Sequence, residues 1–217
     1  MPSPEIFTTI INQYLPEPHA SLLNGILFGI SLRTTKELYD HMRMVGLLHI
    51  VVLSGMNITI LASIIGIFTK YFPKLISIFV VITSITLFIL FVGPQPPIIR
   101  AGLMGTLSLL AVLLGRRTIP LYILFLSFIA TLLFVPEWIS SISFQLSYAA
   151  TLGLILFASA RTQRGLLGRI VGSELRISLS AQAFTAPLIF IYFRQVSLIS
   201  PVANVLVAWS IAPLMVF

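Results

Sequence analysis

No cysteine occurs in the 217 residues. Disulfide frameworks, thiolate metal sites and cysteine nucleophiles are thereby excluded. Charge is scarce as well: charged residues make up 9% of the chain, with six acids and three histidines. So few carboxylates and imidazoles leave little material for a metal cluster or an acid/base pair, and neither a metal nor a cofactor is expected. A soluble domain carries roughly 25% charged residues with which to clothe its surface. This chain cannot do that. What it has instead is apolar, 58% hydrophobic residues and a mean hydropathy of +1.06, so its exterior must be hidden in lipid. The net charge of +7 fits an anionic partner, and equally the basic cytoplasmic loops usual in membrane proteins.

Met1–Glu5 contains no Lys or Arg, so the basic region that opens a signal peptide is missing. The short apolar stretch Ile6–Tyr14, interrupted by Pro16 and Pro18, reads as an amphipathic surface segment. Ala20–Leu32 is apolar but short and precedes the charged stretch Arg33–Arg43; it reads as an interfacial or re-entrant helix. A hydrocarbon core ~30 Å thick takes roughly 20 apolar helical residues. Seven runs qualify: Leu47–Thr69, Leu75–Val92, Ile98–Leu114, Ile119–Val135, Phe144–Ala160, Ile177–Phe193 and Leu198–Phe217. Prolines and charged residues mark the breaks between them. The expected fold is all-α, a polytopic membrane helix bundle of about seven transmembrane helices preceded by an amphipathic or re-entrant helix. Its expected parts are a lead-in over residues 1–45 and a transmembrane domain over 46–217. The chain stops at Met215-Val216-Phe217 inside an apolar run, as expected of a fragment truncated at its C-terminus.

Lys/Arg asymmetry orients the bundle. Arg33, Lys36, Arg43, Arg100 and Arg194 fall on the side of the N-terminus; Lys70, Lys74, Arg116, Arg117, Arg161, Arg164, Arg169 and Arg176 fall on the other. The richer side is cytoplasmic by the positive-inside rule, which puts the N-terminus outside a cell membrane crossed many times. Arg161–Arg176 reads as a cytoplasmic loop with a short amphipathic element against anionic lipid.

Polar residues at membrane depth are costly and face a bundle interior or a wet cavity. The first span carries His49, Ser54, Gly55, Asn57 and Thr59. Ser54 and Asn57 share a helical face, and Gly55 between them is a place for a bend or a close backbone approach. The alternative is plain interhelical hydrogen bonding. A serine hydrolase is disfavoured, because five residues put His49 and Ser54 about 140° apart on a straight helix. Next comes Pro94-Gln95-Pro96-Pro97-Ile98-Ile99-Arg100. Pro97 marks the helix start, and Arg100 near a helix N-terminus opposes the macrodipole unless an anion sits there between guanidinium and free backbone N–H groups. The competing account is an arginine snorkelling to lipid phosphate. Ser141, Gln145 and Tyr148 then form a polar face, with Ser147 and Thr151 beside it, which reads as the lining of an aqueous path or as packing glue. Gln182 and Thr185 share a face of the sixth span, where Pro187 is a kink, and the last span adds Asn204.

These blocks resemble the competence domain of the ComEC family, the inner-membrane channel proteins of bacterial DNA uptake. Gly46-Leu47-Leu48-His49-Ile50-Val51-Val52-Leu53-Ser54-Gly55-Met56-Asn57-Ile58 is similar to the family's early signature. Pro97 to Ala101, Gly115-Arg116, Ser143 to Thr151, Gln182 to Leu188 and Ala203-Asn204 resemble its later blocks, in order, over nearly the whole chain. Two departures stand out. Phe193 is followed by Arg194 where the family often has glycine, and the last span has extra residues before Pro213. Full-length members also carry an OB-like domain and often a metallo-β-lactamase-like domain, and this chain shows neither pattern.

The resemblance implies a channel domain conducting single-stranded DNA into the cytoplasm during natural transformation, without nuclease or other enzymatic activity. Its implied partners are single-stranded DNA, the lipid bilayer, other competence-machinery proteins and further copies of itself in a homo-oligomer. Path candidates are Arg100, His49, Ser54, Asn57, Ser141, Gln145, Ser147, Tyr148, Gln182, Thr185 and Asn204, with helix breaks at Gly55, Pro97 and Pro187. Read without the resemblance, a small-molecule or ion transporter with a midplane site at a broken helix fits the same residues. An intramembrane hydrolase is the remote alternative.

Overall fold

The computed structural model describes residues 4–30, 34–47, 55–158, 166–194, 197 and 199–207. The regular elements among them are helices: α1 (Glu5–Tyr14), α2 (His19–Phe28), α3 (Lys36–Val45), α4 (Gly55–Thr69), α5 (Lys74–Val92), α6 (Pro96–Leu113), α7 (Pro120–Phe134), a 3-10 turn at Pro136–Ser140, α8 (Ile142–Phe157) and α9 (Leu166–Phe193). Residues 200–207 are also helical. Proline opens α6 and α7, where its missing N–H costs nothing.

Of the seven runs the sequence predicts, the first and the last lie partly outside the described residues, at 48–54 and 208–217. Among the described residues, α5, α6 and Gly172–Phe193 of α9 are long and apolar enough to cross a bilayer; α2, α4, α7 and α8 are shorter apolar helices. At 1.5 Å per residue, the 15 residues of α7 reach roughly 22 Å, short of a ~30 Å core. The cause is local, since Pro120 and Pro136 confine it at both ends. The expected last span is described only as far as residue 207. A correction concerns Arg161–Arg176. From Leu166 onward it is no loop, because α9 starts there and not at Ile177. The segment contains no proline, and leucine and arginine are good helix formers, so the helix does not end where its sequence turns polar.

The chain divides into two compact units. One comprises Met1–Arg33 and Val51–Ile139, the other Thr34–Ile50 and Ser140–Phe217. In the first, α1 and α2 pack on the far end of α5 through Phe7, Phe28 and Phe91, whose ring centroids lie 6.0 to 6.2 Å apart. Asn24 Nδ2 donates to Asn12 Oδ1 at 2.9 Å, joining α2 to α1. The core of this unit is Ile58 of α4, Val81 and Ile85 of α5, and Ile98 of α6, all at most 5% exposed. Lys74, opening α5, donates to the Val112 carbonyl at 2.6 Å, a cation placed on a helix C-terminus where the dipole favours it. The outer faces are apolar and bare: Phe68, Leu87, Leu133 and Phe134 are 60 to 84% exposed, as a lipid-facing surface requires.

The second unit is built on α8 against α9. A Cβ at Gly153 would meet the backbone carbonyl oxygen of Ser180, so the two helices cross at backbone contact. Small residues permit such crossings where lipid supplies no hydrophobic drive. α3 is capped by Thr35, whose side chain accepts from Leu38 N, and closes on Gly46 at φ 78. A side chain at Gly46 would also collide with Ser200.

Candidate functional site

An open-sided groove of about 560 Å³ runs between α4, α5 and α6 in the first unit. Its walls follow from helical spacing. Gly55, Thr59, Ala62, Ser63 and Gly66 recur at intervals of three and four along α4, and Ala101, Gly105 and Ser108 do so along α6. Small side chains at these steps leave a trough between helices that the core isoleucines hold together. The hydroxyls of Thr59 and Ser108 bond back to the carbonyls of Gly55 (3.0 Å) and Met104 (2.7 Å). Each thereby satisfies its own donor while leaving lone pairs toward the trough.

Among the described residues lining the groove, Arg100 is the one that is charged. Its Nη1 lies 3.7 Å from Met104 Sδ. Its Nη2 lies 3.4 Å from where a Cβ on Gly55 would sit, and the Ala101 Cβ is 3.3 Å from the same point. Glycine at 55 therefore makes room for the guanidinium. Two motifs far apart in sequence, the Gly55 step and the proline–arginine step, meet at one end of the groove.

The sequence predicts free backbone donors beside Arg100 at the start of α6, and the structure corrects this. Pro96 and Pro97 have no N–H, and the N–H groups of Ile98 and Ile99 both donate to the Gln95 carbonyl, at 3.1 and 3.0 Å. Arg100 lies a turn further in, and any anion there would be held by its side chain. Pro97 belongs to the first turn of α6.

The other candidates are distributed elsewhere. Asn57 is 6% exposed and donates to the Ile26 carbonyl at 3.1 Å, pinning α4 to the end of α2 rather than lining the groove. In the second unit Ser141 caps α8 by accepting from Phe144 N at 3.3 Å. Gln145 Oε1 accepts from the Tyr192 hydroxyl at 2.7 Å. Tyr148 is 9% exposed, its ring 4.4 Å from that of Phe144, and the Ser147 carbonyl accepts from Thr151 Oγ1. Gln182 donates to the Ser197 carbonyl (2.9 Å), Thr185 to the Ala181 carbonyl (3.1 Å), and Asn204 to Ser178 Oγ (2.8 Å). Pro187 lies inside α9. Gln145, Gln182 and Asn204 thereby join separate segments of the second unit. His49 and Ser54 lie outside the described residues. Ser63, Met104 and Ser108 escaped sequence reasoning. Their signal, small or flexible residues repeating at three and four along two helices, was present but is common in membrane helices.

The family model described as "Competence protein" matches residues 26–217. The chain belongs to the competence protein family. It is 27% identical over 201 residues to "ComE operon protein 3" of Bacillus subtilis, a match covering 90% of this chain and 25% of that protein. It is 30% identical over 188 residues to an uncharacterized protein of Aquifex aeolicus, covering 84% of this chain and 44% of the other. This competence-family chain thus spans between a quarter and less than half of those relatives' lengths. No solved structure matches it.

Proposed function

We propose that this chain acts in DNA uptake during competence, as a cell-membrane channel domain that passes single-stranded DNA inward. In this reading the N-terminus is outside and no covalent chemistry is performed. The carrying observation is Arg100, the cation among the described residues of an open trough of hydroxyls and small side chains, set there opposite Gly55. A polyanion threading a bilayer needs cations to meet its phosphates and walls that do not grip it. The guanidinium offers a bidentate fork to a phosphate, and small hydroxylated walls leave room for a strand. Membership of the competence protein family, and likeness to ComE operon protein 3, support the same reading. Single-stranded DNA, the bilayer, other competence proteins and a second copy of the chain closing the open side of the groove are the partners it calls for.

The test is uptake of labelled single-stranded DNA into proteoliposomes. Arg100→Ala is expected to abolish or sharply reduce uptake while the protein still inserts and stays folded. Arg100→Lys keeps charge but loses the fork, so its defect is partial. Arg164→Ala is the control for loss of charge alone. Normal uptake by Arg100→Ala would sink the proposal. The volume of the groove favours a second reading, since 560 Å³ is also the size of a small-molecule site. A transporter would admit a small anion and exclude the polymer.

A further inference from the structure

The end of α9 carries a second basic feature that the groove does not use. α9 closes on Phe193, and Arg194 follows at φ 54, a left-handed conformation that penalises a side chain and favours glycine. The turn itself is made by backbone, Arg194 N–H donating to the Phe190 carbonyl at 2.9 Å. It would form as well with glycine. A residue held against its preference points to a use for its side chain, and the Arg194 guanidinium is exposed. α3 delivers a second cation to the same place: Arg43 Cζ lies 5.9 Å from the centroid of the Phe193 ring. Phe193 is 43% exposed and Tyr192 beside it 42%. The Tyr192 hydroxyl is tied to Gln145, so the end of α9 is braced against α8.

We propose that Arg43, Phe193 and Arg194 form a platform that holds a nucleotide of single-stranded nucleic acid, its base stacked on the Phe193 ring and its flanking phosphates on the two guanidiniums. Cations beside an exposed aromatic face are the pair of features by which strands are gripped without regard to sequence. Completing the dipole at a helix C-terminus would use Arg194 alone and needs neither Arg43 nor an exposed ring. The platform rests on the DNA reading above, and on an orientation that puts this end of α9 outside, where the strand arrives.

Binding of fluorescein-labelled oligo(dT) to the full chain in phosphatidylcholine nanodiscs tests it. Phe193→Leu keeps apolar bulk but loses the stacking face, and affinity should fall roughly 5- to 150-fold. Arg43→Ala and Arg194→Gly should each lower the salt slope of binding by about 0.7. Arg194→Gly also removes the backbone strain, so it should melt at or above the wild-type temperature while binding DNA less tightly. A drop in both would mean misfolding and overturn the assignment. Wild-type binding by all three variants, with Arg100→Ala still defective, overturns the platform and leaves the channel reading standing. No oligo(dT) binding by the wild type removes both. Unchanged DNA affinity with weakened capture of phosphatidylglycerol vesicles would make this a lipid-headgroup site, and the proposal fails.

Discussion

The two units spend their small and polar residues in opposite ways. In the first, glycine, serine and threonine on α4 and α6 stand back from one another and leave a trough with one arginine in it. In the second, Gly153 is pressed against the Ser180 backbone, and Gln145, Gln182 and Asn204 each reach a partner within the unit. The same residue types make an opening in one place and a seam in the other. The lesson is that a polar or small residue in a membrane helix carries no function by itself. What decides is whether a neighbouring helix occupies the space it leaves.

Substitutions at matched glycines should break this contrast most strongly. Gly153→Ala has no room, because its new methyl meets a backbone oxygen rather than a flexible side chain. We expect a loss of about 1–3 kcal/mol, read as a lower midpoint of thermal unfolding in detergent and poorer accumulation in membranes. If Gly153→Ala melts like wild type, α8 and α9 are not in backbone contact. The absence of native cysteine allows a second test. Single cysteines at Ser63 and Ser108 should react with a charged thiol reagent in intact membranes, whereas cysteines at Tyr148 and Ser180 should stay protected. Equal reactivity at all four positions would erase the distinction between trough and seam.

Smaller effects sharpen the picture. At Gly105 the nearest atom to an added Cβ is Ile85 Cδ1 at 3.9 Å, an ordinary contact. Gly105→Ala should therefore fold normally and gain about 0.5–1 kcal/mol from the better helix former, the opposite sign to Gly153→Ala, in the same unfolding measurement. Tyr192→Phe removes one exposed hydrogen bond to Gln145. Its cost should lie near the lower end of about 0.5–1.5 kcal/mol, and a double mutant with Gln145→Ala should show that the two effects are not additive.

Much of the architecture was legible because it follows from what water and lipid reject. The apolar runs, the prolines between them and the scarcity of charge located α5, α6, α7 and α8 to within a few residues. The start of α9 was not legible, since helix propensity continues through a polar stretch that hydropathy reads as a break. Arg100 stood out as a lone cation among apolar residues, yet the donors expected around it were absent, and that too was written in the sequence: two prolines have no N–H to offer. The roles of Asn57 and Gln145 could not be read. An amide at membrane depth needs a partner, but which carbonyl or hydroxyl answers depends on helices 31 and 47 residues away.

The sequence by itself determined that this is a helical membrane chain with an excess of positive charge, since composition alone counts how much surface must be hidden and how little can face water. It determined family as well, through several ordered blocks. Only the tertiary structure decided that Gly55 and Arg100 share a groove, that Gly153 makes a seam, and that Arg43 and Arg194 meet around Phe193. Each of these depends on how one helix is rotated and seated against another, and that is set by the packing of side chains from distant segments rather than by the local pattern of any one of them.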